Sequence, residues 1–199
     1  MIKKRIIPIK CRREPIFILR IFLLIGTFSF MFLYSVQALE VPPLRDYVND
    51  YAGLISPSVR TRLENDLKSF EKSDSIQLVI LTVPSLKGEV LENFSLRVGS
   101  TWKIGQKGED NGIVMVVAKQ ERKIRIEVGR GLEGVLTDLL AKRIVMWVII
   151  PQFKNGDFDS GFLAGVSALI DSTKGTNFKL PVNNDDSFSE ILDHDILEH

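Results

Sequence analysis

The sequence has very few of the residues that most soluble enzymes use for catalysis. Its 199 residues include one cysteine and two histidines. Cys11 lies in the N-terminal stretch, and His194 and His199 lie in an acidic stretch at the other end, so the region between has neither residue type. A Ser-His-Asp triad, a Cys-His nucleophile and a standard zinc site are therefore excluded from that region, and so is a disulfide. Net charge is also missing: 26 basic residues oppose 25 acidic ones, giving +1. That balance argues against a nucleic-acid partner. Any chemistry falls to carboxylates, hydroxyls, Lys, Arg, or a metal with oxygen ligands.

The balanced charge is an average over three unlike segments. Lys3, Lys4, Arg5, Lys10, Arg12, Arg13 and Arg20 form a basic head opposed only by Glu14. An apolar run, Ile21–Tyr34, follows, and then Ser35-Val36-Gln37-Ala38. A basic head, a short apolar stretch and a V-x-A ending predict an export signal over residues 1–38, cleaved after Ala38. The apolar residues at Ile16–Leu19 leave an uncleaved N-terminal membrane anchor as the alternative. Either way the remainder is expected outside the cytoplasmic membrane, periplasmic or secreted. Residues 182–199 carry six acids and no Lys or Arg. They read as a solvated tail with room for one short helix over Phe188–Leu192. Residues 39–181 hold 19 basic and 18 acidic residues and are expected to form one domain.

Within that domain the periodicities alternate. Ser56-Pro57 is a capping hydroxyl before a proline at the first helical position. Val59, Leu63, Leu67 and Phe70 then mark one buried face of a helix running through Lys72. Ile76–Val83 is a near-continuous apolar run, as expected of a strand covered on both faces. A second helix is expected from about Glu89 to Trp102, with Val90, Phe94, Val98 and Trp102 on its apolar stripe. Ile113–Lys119 reads as a strand turned by Gln120-Glu121-Arg122 into Lys123–Val128, a hairpin. A third helix is expected from Thr137 to about Ile150, stopped by Pro151, and a fourth from about Phe158 to Thr173. This order predicts an α/β fold, a single αβα sandwich around a small mixed sheet.

Gly129-Arg130-Gly131-Leu132-Glu133-Gly134 matches G-x-G-x-x-G between a strand and a helix. The strand is the second arm of a hairpin, the helix begins only at Thr137, and no acid lies about 20 residues on. Dinucleotide binding is therefore not expected, although three glycines in six residues still require positive φ or close backbone approach. Asn155-x-Asp157-x-Asp159 opens like an EF-hand loop but has Ser160 and Val166 where Gly and Glu are needed; helix capping by Asp157 or Asp159 is the better account. The sequon Asn93-Phe94-Ser95 falls mid-helix. Asp110-Asn111-Gly112 begins a hairpin strand, so it lies beside Gly129 at one end of the sheet. Glu133 and Asp138 follow in the adjoining loop and helix start. Clustered carboxylates repel unless protons or a hard cation neutralise them, which makes a Ca²⁺ or Mg²⁺ site an expectation there. Turn chemistry and helix capping account for the same residues without an ion.

At these residues the chain resembles the TPM-domain family, whose members include thylakoid lumen acid phosphatases, photosystem repair proteins and a receptor modulator. The resemblance is carried by Val48-Asn49-Asp50-Tyr51-Ala52-Gly53-Leu54-Ile55-Ser56, Trp102-Lys103-Ile104-Gly105, Asp110-Asn111-Gly112-Ile113, the stretch Ile126–Asp138 and Ile149-Ile150-Pro151-Gln152-Phe153. It implies an αβα sandwich outside the cytoplasm whose acidic residues bind Ca²⁺ or a similar ion in some members. Asp50, Asp110 and Asp138 match the family's acidic positions, with Glu133 as a fourth. Asp50 enters through the resemblance alone, from the loop before the first helix, where it could reach the same sheet end. Many bacterial members carry a transmembrane helix and a glycine-rich tail after the domain; here the acidic stretch stands in that place. Two functions follow. One is a cation-binding assembly, repair or interaction module for a membrane or envelope protein. The alternative is a metal-dependent acid phosphatase with Asp50, Asp110 or Asp138 as base or nucleophile. Arg130 is the only cation near those acids in sequence, a thin provision for phosphoryl transfer.

Overall fold

The computed structural model describes residues 38–175, and the compact unit that contains the fold begins at Leu39. The expected export signal up to Gln37, the acidic stretch and its short helix lie outside the described residues. Among the described residues no helix is long and apolar enough to cross a membrane.

Four strands form one sheet in the order β1 (Val48–Asp50), β2 (Gln77–Val83), β3 (Gly112–Ala118), β4 (Lys123–Val128). β1 and β3 run parallel to β2, and β4 closes the hairpin antiparallel to β3. The hydrophobic runs of β2 and β3 supply two apolar faces, because successive side chains of a strand point to opposite sides. Ile113, Met115 and Val117 face one cluster, whereas Val114, Val116 and Ala118 face the other. Both faces are covered.

The larger cluster is closed by helix α1 (Pro57–Asp74) and helix α5 (Phe158–Thr173), with α3 (Asp138–Ile144) and a π-helical turn (Val145–Ile149) beside them. Leu63, Leu67 and Phe70 of α1 meet Phe162, Val166 and Leu169 of α5 there. Ser56 caps α1 by accepting from the Val59 N–H. Asp157 caps α5 through the Ser160 N–H, and Asp159 reaches the Ser56 N–H at 2.9 Å, tying the starts of the two helices together. On the opposite face lies α2 (Leu91–Trp102), which buries Leu91, Phe94 and Val98. Val90, expected on that stripe, precedes the helix and is 55% exposed; Leu91 takes its place in the core.

Two expectations need correction. Asp50 is not in a loop: Val48–Asp50 is an edge strand, too short and too polar in Val-Asn-Asp to show a period of two. Pro151 does not stop the helix, which continues as α4 (Ile150–Lys154). The widened turn before it makes the difference. Ile150 donates to Val145, five residues back, and Pro151 then occupies the opening turn of the next helical segment, where its missing N–H costs little.

β1 is also held from outside the sheet. Tyr47, just before it, donates its phenol to Glu71 of α1. That hydrogen bond first, then burial and the negative charge of Glu71, push the phenol from 10 up to about 12. An ultraviolet difference titration against Tyr47→Phe should therefore show this phenol ionising near 12. Glu71→Gln should return it to about 10. Because the folded value is raised, the stabilisation is complete below the unfolded value and is lost as pH climbs through the folded one. A Tyr47 titration at the ordinary value in the intact chain would remove this strut.

Candidate functional site

Three of the family-like motifs, Trp102–Gly105, Asp110–Ile113 and Ile126–Asp138, meet at the end of the sheet where β2 and β3 begin and β4 finishes. They meet as backbone. Gly129 donates its N–H to the Gly112 carbonyl at 2.8 Å, and Gly131 donates to the Asp110 carbonyl at 3.1 Å. A Cβ added to Gly129 would stand 2.0 Å from the Asp110 carbonyl oxygen, and one on Gly131 would stand 1.9 Å from that of Glu109. Gly112 is equally confined, with a hypothetical Cβ 2.4 Å from the Ile104 carbonyl oxygen. Only glycine fits at such distances. The space that the G-x-G spacing opens is filled by the chain's own Glu109–Asp110 backbone. Asn111 completes the knot: its Oδ1 accepts from Gln106 N at 2.7 Å, and its Nδ2 donates to the Ser75 carbonyl at 2.6 Å.

The acids around this knot face outward. Asp110, held at φ 48, is exposed, and so are Glu109, Glu133 and Asp138. Arg130 approaches Asp110 at 3.4 Å, with side chains 86% and 56% exposed, a pair worth little in water. Glu133 closes the 3₁₀ turn Arg130–Leu132, donating its backbone N–H to the Arg130 carbonyl. Asp138 is the first residue of α3, after the Thr137 cap. Its charge acts on Arg125, which pairs with Val116 halfway along the hairpin rather than at its end. Partial burial works against the charge on Arg125. The hydrogen bond and charge of Glu127, with Glu92 and Asp138 beyond, outweigh that and hold the guanidinium above its ordinary value.

Asp50 is elsewhere. It pairs with Thr82 near the far end of β2, whereas the Asp110 loop leads into Gly112, which pairs with Gln77. Those positions are separated by about 16 Å of strand. The Asp50 carboxylate is also occupied: it accepts from Leu54 N at 3.1 Å, Ile55 N at 3.0 Å and the Thr82 hydroxyl. Among the described residues no group of three or more His, Cys, Asp or Glu stands together to hold a metal. The four residues Asp50, Asp110, Glu133 and Asp138, as placed, do not fit one Ca²⁺ or Mg²⁺ site. Open α/β sheets bind ligands at one end of the sheet. That is the carboxyl end of the parallel strands. Asp110 precedes its strand and so lies at the amino end.

Asn111 and the confined glycines have a structural function that reading for chemistry alone passes over. The signal was present in the sequence as glycine spacing without a helix to follow it. Gly129→Ala and Gly131→Ala should each cost about 1–3 kcal/mol or more, read as a fall in urea midpoint. Gly134→Ala, with nothing within 4 Å of the added carbon, should stay within about 0.5 kcal/mol. Equal losses at Gly131 and Gly134 would refute the close-approach account.

Comparison with known proteins agrees with this arrangement. The N-terminal domain of a protein from P. gingivalis superposes with a TM-score of 0.61 at 32% identity, over 65% of this chain and 83% of that one. The N-terminal domain of a Corynebacterium glutamicum protein gives 0.52 at 20% identity, over 69% and 88%. The BA42 protein of Bizionia argentinensis gives 0.53 at 17%, over 61% and 83%. The latter two are likenesses of fold alone. No protein with a curated description matches. The family model of the TPM domain matches residues 48–172, which takes in every strand, the glycine knot and nearly all of α5. The chain belongs to the TPM-domain family.

Proposed function

We propose that this TPM domain is an interaction module that works outside the cytoplasmic membrane and engages a membrane or envelope protein. Its contact face is the loop pair 105–111 and 129–139. The observation that carries the reading is what the glycine knot presents. Val135 and Leu139 stand 48% and 45% exposed among the outward-facing acids Glu109, Asp110, Glu133 and Asp138. Apolar side chains on or beside backbone-locked loops, among four exposed acids that outnumber the two cations Lys107 and Arg130, suit recognition of a partner with a basic, partly apolar segment. The basic head, apolar run and Val36-Gln37-Ala38 ending support export. The phosphatase alternative lacks a comparable observation: its acids lie at both ends of the sheet.

The test is a photo-crosslinking residue at Leu139 in the exported chain, with adducts identified by mass spectrometry. A membrane or envelope protein should be the adduct, and Asp110→Lys with Glu133→Lys should lower its yield about tenfold, the effect of roughly 1.4 kcal/mol. Labelling no stronger than from a probe at Lys68 on α1 would overturn the module. So would hydrolysis of a phosphomonoester near about pH 5 that Asp110→Asn removes, the profile of a carboxylate-dependent enzyme. A Ca²⁺-induced rise in melting temperature, abolished by Asp138→Asn, would reinstate an ion on this face.

A further inference from the structure

Leu39 is gripped at both of its main-chain polar groups. Its N–H donates to Glu89 Oε2 at 2.8 Å, and its carbonyl accepts from Arg97 Nη2 at 2.7 Å. Glu89 and Arg97 are themselves locked together, Arg97 Nη2 lying 2.8 and 2.7 Å from the two carboxylate oxygens and Nε 3.2 Å from Oε1. The Glu89 side chain is only 13% exposed. Leu39 and Val41 pack against the core cluster under α2. The segment is secured further along by Trp102 Nε1 donating to the Pro42 carbonyl and by the Tyr51 hydroxyl donating to that of Pro43. Among the described residues the grip begins at Leu39, and Ala38, one residue upstream, is exposed. The grip thus begins at the residue that the V-x-A ending, read from sequence alone, makes the first of the mature chain.

We propose that Glu89 and Arg97 form a receptor for the N-terminus created when the leader is removed between Ala38 and Leu39. In that cleavage, catalysed by a leader peptidase, water adds to the Ala38 carbonyl carbon and the bond to the Leu39 nitrogen breaks. Ala38 departs as a carboxylate and Leu39 becomes an ammonium. The bond from the Leu39 N–H to a carboxylate 50 positions away, ionic on one side only, is replaced by an ammonium–carboxylate pair in which both partners are charged. The charged groups facing the new ammonium are Glu89 from the segment before α2, Arg97 from α2 and Glu40 next in the chain. Arg97 opposes the ammonium, but Glu89 is the group in direct contact. The mature chain is therefore more stable than the same fold with its leader peptide bond intact.

The test compares the chain Leu39–His199 bearing a free amine with the same chain acetylated at Leu39, which keeps an amide there. At about pH 6, below the ordinary range for an α-amine, the free form should melt about 2–4 °C higher. Glu89 raises the amine's titration, so the gap is complete below that ordinary range and closes as pH rises through the raised value. Glu89→Gln should abolish the gap. If that variant does not fold, a chain that keeps Ala38 as a free N-terminus moves the ammonium into solvent and should melt like the acetylated form. Equal melting of the free and acetylated wild-type chains would overturn the receptor, as would a gap that survives Glu89→Gln or is matched by the Ala38 form. An exported protein whose mass does not begin at Leu39 would also overturn it.

Discussion

Three stretches of main chain cross at one end of this sheet with no room for a side chain between them. Ile104–Gly105, Glu109–Gly112 and Gly129–Gly131 are in backbone contact, and the rest of the molecule depends on that crossing. It fixes where β3 starts, where β4 stops, and the direction in which the chain departs towards α3. The hairpin could form without it, since the cross-strand pairs of β3 and β4 are sufficient for pairing. The loops that bear Glu109, Asp110 and Glu133 could not hold a single arrangement. In this chain the motif that resembles a nucleotide fingerprint serves self-contact.

The carboxylates are distributed rather than pooled. Asp50 organises the turn after β1 through three hydrogen bonds. Glu127 and Glu92 balance Arg125 on the α2 side of the sheet, and Glu89 is matched to Arg97. Each half-buried acid has its own cation or its own set of donors, the condition under which ionised groups survive partial burial. The acids around the glycine knot are instead exposed, Asp110 beside an equally exposed Arg130, and water screens them.

Much of this was legible before any coordinates. The helices α1 and α5 and the strands β2 to β4 follow from runs and periods long enough to be unambiguous, with Ser56-Pro57 marking one start. Residues Val48–Asp50 were not legible, because three positions cannot display a period and the parallel partner lies 32 residues on. Neither was the passage of the helix through Pro151, since a π turn leaves no mark in composition. The separation of Asp50 from the other three acids was not legible for a topological reason. Placing Asp110 beside Gly129 needed only the hairpin, which sequence supplies. Placing Asp50 needed the direction of β1, and parallel pairing to β2 puts it at the opposite end.

The two borders of the sheet have a consequence for assembly. β1 is three residues long, and β4 carries Lys123, Arg125 and Glu127 along its length. A short strand and a charged one are poor templates for a further strand. The sheet therefore resists extension by β-augmentation at either margin, whether by another copy or by an extended peptide. Recognition is left to the loops and helix surfaces, where side chains rather than main-chain hydrogen bonds decide what is accepted.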